Sequence, residues 1–138
     1  MMQAKIITGG KFKERVNLAH DLIIKLFTLS KEVTWESINN HPDILLFPSL
    51  THLGIEEIRS IEHQIHLKPY FYQSKIVLIE NADLLTIPAQ NAFLKTLEEP
   101  PAFCLIILCT EKKSSLLPTV LSRCQIISLP SKVEIVLT

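Results

Sequence analysis

The stretch "KIVLIENADLLT" (75–86) runs from apolar residues straight into Glu80 and Asn81. A buried strand that ends in acidic side chains can hold magnesium beside a phosphate and aim a water at it. Chemistry of that kind wants an Asp followed by a Glu. Asn81 cannot take a proton from water at neutral pH, because an amide is not a usable base. Glu80 keeps a carboxylate, for which a structural hydrogen bond or ion pair is the simpler role. The partner of such a strand is a phosphate loop after the first strand, G-x-x-x-x-G-K-[ST], whose N–H groups wrap the phosphates. In "ITGGKFKERV" (7–16), Gly9 and Gly10 precede Lys11, but position 5 is Lys and Phe12 stands where a metal-binding hydroxyl is needed. Gly9-Gly10 reads as a tight strand-to-helix turn. Two independent losses predict a disabled hydrolysis site, with no cofactor and no enzymatic activity of its own.

Other reactive side chains fall into no catalytic pattern. His63 and His66 lie three apart beside Glu62, which is two metal ligands without a third; a solvated helix face is the expected reading, and no metal site. His41 precedes Pro42 and leads into a strand. Cys104, Cys109 and Cys124 form no C-x-x-C pair and sit among apolar residues, which predicts buried free thiols in a reducing compartment. Neither Ser-His-Asp nor Cys-His spacing occurs in a supporting context. Trp35 and Tyr70-Phe71-Tyr72 lack a surrounding basic run, so they are expected to anchor connections rather than stack on bases. Fourteen basic residues balance fourteen acidic ones, so no overall field draws in nucleic acid or an anionic membrane. No segment approaches the ~20 apolar residues of a membrane span, and the start lacks a secretory apolar core. A cytoplasmic location is expected.

The elements that position these residues alternate. Apolar runs at 4–8, 43–49, 75–79, 103–110 and 124–129 predict five strands. Between them, Phe12, Val16, Ala19, Ile23 and Leu26 recur at helical spacing, as do Ile55, Ile58, Ile61 and Ile65. Thr86 caps a third helix that tolerates Pro88 in its first turn and ends near Glu99, before Pro100-Pro101. Ser114 or Ser115 is expected to cap a fourth, running through Ser122. "FCLIILCT" is apolar throughout, as a central strand buried on both faces must be. The order β-α-β-α-β-α-β-α-β predicts an α/β fold: a three-layer αβα arrangement around a parallel five-stranded sheet. One domain over 1–130 is expected, followed by a tail at 131–138.

"HPDILLFPS", "QNAFLKTLEEPP" (90–101) and "LLPTVLSRCQIISLP" resemble the bacterial DNA polymerase III clamp loader, in the AAA+ domain shared by its delta-prime and gamma/tau subunits. The resemblance runs from about His41 to Pro130; the first forty residues match only in their strand-helix pattern. It implies that Glu80 and Asn81 occupy a degenerate Walker B position and Thr110 a sensor position. It also implies that Arg123, within Ser122-Arg123-Cys124, acts as an arginine finger on ATP held by a neighbouring subunit. Asp83 to Thr86 and the 90–101 helix would belong to the same surface, with no chemical role assigned. Lacking the P-loop, the chain fits delta-prime, the ATPase-inactive member, better than gamma/tau. The four-cysteine zinc module, the lid and the collar of relatives have no counterpart in this sequence. The implied partners are gamma/tau motor subunits and a delta subunit, with indirect association with the sliding clamp and primed DNA, and no membrane. Two rival functions stand beside this one: a structural interaction module without a role in hydrolysis, and a gamma/tau-like ATPase.

Overall fold

The computed structural model describes residues 3–27, 34–69 and 74–130. The elements run β1 (Ala4–Gly9), α1 (Phe12–Phe27), α2 (Trp35–Ile38), β2 (Ile44–Phe47), α3 (Ile55–Ile65), β3 (Lys75–Ile79), α4 (Ile87–Glu98), β4 (Cys104–Thr110), α5 (Pro118–Leu121) and β5 (Gln125–Leu129). Short 3-10 turns occupy Ala82–Leu84 and Lys113–Ser115. All strand pairings are parallel, in the order β2-β3-β4-β1-β5. The most apolar run therefore lies in the middle of the sheet, as expected. The tail at 131–138 and Tyr70-Phe71-Tyr72 lie outside the described residues.

Alternation along the strands divides the core in two. Ile76 and Leu78 of β3 and Ile107 and Cys109 of β4 face α1 and α2, where they meet Ala19, Ile23 and Ile38. Val77, Ile79, Ile106 and Leu108 face α3, α4 and α5, where they meet Ile58, Ile61, Ile65, Phe93 and Val120. This is the side-chain period of two in a sheet covered on both faces. The isoleucines of α3 at positions 58, 61 and 65 are fully buried, each contributing about 1.5–3 kcal/mol of transfer free energy. Buried Lys75 ties α3 to the sheet. Its Nζ donates to the carbonyls of Gln64 (2.7 Å) and Leu67 (3.3 Å), putting a cation at the negative end of the helix.

Local signals placed most helix boundaries. The Thr86 hydroxyl accepts the Ala89 N–H at 3.1 Å, and α4 ends at Glu98 before the proline pair. The α1 face is narrower than its spacing suggests, because Phe12 and Leu26 at its ends are 40% and 42% exposed. One expectation is corrected. No helix runs from Ser114 or Ser115 to Ser122: α5 begins only at Pro118, with Leu117 held extended at φ −63, ψ 144. The ring of Pro118 disfavours helical geometry at the residue before it, so the chain turns once at Lys113–Ser115, extends, and starts again.

Candidate functional site

The carboxyl ends of β1, β3 and β4 lie side by side, where ligands bind in sheets of this kind. After β1 the chain turns through Gly9 (φ +81) and Gly10 (φ +58), both left-handed. A Cβ on Gly9 would come within 2.6 Å of the Leu129 carbonyl oxygen, so glycine is required where the turn abuts β5. The turn is already occupied. Arg15, only 6% exposed, donates through Nη1 to the carbonyls of Gly9 (2.9 Å) and Gly10 (3.0 Å). A phosphate cradle presents N–H groups; this turn presents carbonyl oxygens to its own arginine. At the start of α1, the Glu14 carboxylate accepts the Lys11 N–H at 2.9 Å, half of a capping box. A fixed carboxylate thus sits where an incoming anion would meet the helix N-terminus. The Lys11 side chain is exposed.

Beyond β3, Asn81 is a turn-former. Its Oδ1 accepts the Asp83 N–H at 3.2 Å and starts the 3-10 turn. Glu80 is half-buried, and burial raises its carboxyl pKa, partly offset by a hydrogen bond from the Ser49 backbone. At the end of β4, Thr110 is buried, and its hydroxyl is within reach of both the Asp83 carboxylate and the Lys112 carbonyl. The other Asp83 oxygen accepts the Glu111 N–H at 2.9 Å. Asp83 therefore clasps the end of β4 from the turn after β3, and the sensor-like hydroxyl is engaged within the chain.

Arg123 lies apart from this cluster. Its Nη1 donates to the Thr119 carbonyl at 2.8 Å, and its Nη2 stands 3.6 Å from Glu98 Oε2, at the end of α4. Its side chain is 29% exposed and that of Glu98 62%. No hydrogen bond or ion pair joins it to Glu80, Asn81 or Thr110 among the described residues. Of its neighbours in the motif, Ser122 is exposed and donates to the Thr119 carbonyl, while Cys124 is buried in the core.

Gln90 sets the position of the segment that carries Arg123. Wholly buried on α4, it donates to the carbonyls of Leu85 (3.2 Å) and Ser115 (3.3 Å) and accepts the Leu117 N–H at 2.7 Å. Replacing Gln90 by alanine strands these backbone groups, and is expected to cost about 2–4 kcal/mol. Urea denaturation checks this; a loss below about 0.5 kcal/mol would mean that water replaces the amide without penalty.

The remaining sequence candidates lie outside this cluster. His63 is exposed, His66 caps α3 with its Nδ1 2.6 Å from the Glu62 carbonyl, and no group of three metal-binding side chains occurs among the described residues. His41 Nδ1 accepts the Asp43 N–H at 3.0 Å at the start of β2. Trp35 stacks on His20 at 3.8 Å, anchoring α2 to α1, and burial lowers the His20 pKa against the pull of Asp21 and Glu36. Sequence reasoning missed Glu14 and Arg15, and placed Asp83, Gln90 and Glu98 on a shared surface without a role. Only Glu14 had a local signal, three residues after the helix cap.

Residues 3–132 match the family described as DNA polymerase III, delta subunit. The chain belongs to that family. The family is that of clamp-loader subunits of the delta-prime and gamma/tau kind, in DNA replication. The chain is 37% identical over 83 residues to the DNA polymerase III subunit tau of Bacillus subtilis, covering 60% of this chain and 15% of that protein. It is 39% identical over 74 residues to the delta-prime subunit of Escherichia coli, covering 54% of this chain and 22% of that protein. A crystal structure of a gamma-subunit-related protein from Thermotoga maritima superposes with a TM-score of 0.71 at 28% identity, over 96% of this chain and 43% of that one. The clamp loader delta protein of Bacillus subtilis shares the fold, with a TM-score of 0.60 at 13% identity over 92% of this chain and 38% of that one. The family is of AAA+ type, which agrees with the fold expected from the sequence. The chain spans less than a third of the length of the tau and delta-prime relatives it matches. Among the described residues, no helix is long and apolar enough to cross a membrane.

Proposed function

We propose that this chain is a non-catalytic, delta-prime-like subunit of a cytoplasmic clamp loader. It binds gamma/tau-type ATPase subunits and a delta subunit, and presents Arg123 to ATP held by a neighbour. Through that assembly it takes part in loading the sliding clamp onto primed DNA, without a bound nucleotide of its own. The observation that carries the reading is the state of the turn after β1. Arg15 already holds the Gly9 and Gly10 carbonyls and Glu14 the Lys11 N–H, so these groups of the turn are engaged within the chain and a carboxylate stands at the start of α1. That carboxylate repels a phosphate. Arg123 in turn keeps partial exposure near the end of α4, where a subunit boundary can reach it. Arginine suits the task, because its charge is fixed and its forked donors match the charge that develops on a transferring phosphoryl group.

The test is reconstitution. The chain should co-purify with the gamma/tau-type subunits of its own organism and raise their ATPase activity. Alone, it should retain no ATP on a filter at up to about 100 μM nucleotide, an affinity weaker than about −5.5 kcal/mol. Micromolar ATP binding by the isolated chain would favour a gamma/tau-like ATPase instead. Co-purification with no change in hydrolysis would favour a structural interaction module.

A further inference from the structure

We propose that Glu98 is a positioning residue that parks Arg123 against its own domain until a neighbour's triphosphate takes it over. The inference rests on the reading of Arg123 as an arginine that acts across a subunit boundary. In the free chain the guanidinium is folded back. Nη1 is bound to the Thr119 carbonyl four residues earlier, Nη2 faces Glu98, and Nε is buried with no partner. A side chain reaching outwards would leave all three nitrogens to solvent or to another molecule. The retracted position is held weakly by design of its parts. The Glu98 carboxylate is 3.6 Å away and mostly exposed, and pairs of that kind are marginal in water. Nε gains nothing from it. A triphosphate carries several negative charges and offers bidentate oxygens, so it displaces one solvated carboxylate. Glu98 thus restrains the cation without trapping it, and turning to the neighbour first requires breaking the pair.

That cost falls on engaging the nucleotide, so it raises the ATP concentration needed rather than the rate at saturation. The test uses the full chain assembled with ATP-binding partner subunits and follows hydrolysis at the site facing this chain. Glu98→Gln should lower KM by about 2- to 5-fold with kcat changed by less than about 1.5-fold, the range available to an exposed pair. Glu99→Gln makes the same charge change one residue on, where no pair to Arg123 exists, and should leave KM unaltered. In an Arg123→Ala background, Glu98→Gln should have no effect. The exposed Glu98 substitution should move the melting temperature by less than about 2 °C, so that folding does not confuse the result. An unchanged or raised KM in Glu98→Gln overturns the inference. So does an equal shift in Glu99→Gln or in the Arg123→Ala background, since either would mark a general field. If Arg123→Ala alone leaves hydrolysis as it was, the reading of Arg123 fails instead.

Discussion

Arg123→Ala should slow hydrolysis at the neighbouring ATP site by about 10³-fold, equivalent to about 4 kcal/mol of transition-state stabilisation. The expectation follows from what the guanidinium offers: a permanent charge and two parallel donors, delivered from a short helix whose start is fixed by Pro118 and Gln90. Arg123→Lys keeps the charge but loses the fork, and should recover less than about a tenth of the lost rate. Other sites in a ring would mask the effect, so hydrolysis is best followed in single turnover with the remaining ATP sites silenced. The chain itself should scarcely notice the change. Its contacts to Thr119 and Glu98 are solvent-exposed, so stability should fall by no more than about 1 kcal/mol. Rates within about twofold of the unaltered complex would remove Arg123 from the mechanism.

The second large effect is on stability at alkaline pH. Cys104, Cys109 and Cys124 are free and buried, and burial pushes each thiol from 9.0 up to about 12. An acid whose pKa is higher in the folded state holds its proton more tightly there. Its contribution to stability is complete below the unfolded value near 9, and is lost progressively as pH rises towards 12. At pH 10 the unfolded thiols are mostly ionised and the folded ones are not, which costs about 4 kcal/mol over the three sites. For a domain held by roughly 5–15 kcal/mol, that is a large share. Urea denaturation at pH 8 and pH 10 measures it, and a triple Cys→Ala variant, less stable at both pH values, should show much less of the difference. An equal loss in that variant would assign the alkaline transition to other groups.

The elements were largely legible because the rules that make them are local. Apolar runs marked the five strands, the spacing of Ile58, Ile61 and Ile65 marked α3, and Thr86 with Pro88 marked the start of α4. The start of α5 was legible too, through the effect of Pro118 on Leu117, but the serines upstream made a stronger false cap. α2 at Trp35–Ile38 is a single turn, too short for its period to stand out.

The sequence by itself determined that no glycine stands five residues before Gly10, that Phe12 stands where a metal-binding hydroxyl is needed, and that an amide follows Glu80. Those facts depend on which residue types are present, and no folding can supply a missing group. Only the tertiary structure decided how the vacated site is filled. Asp83 meets Thr110 across 27 residues, and Gln90 meets Ser115 and Leu117 across 25 and 27. Such pairs exist because parallel strands bring distant chain ends to one edge of the sheet, a juxtaposition that spacing along the chain does not encode.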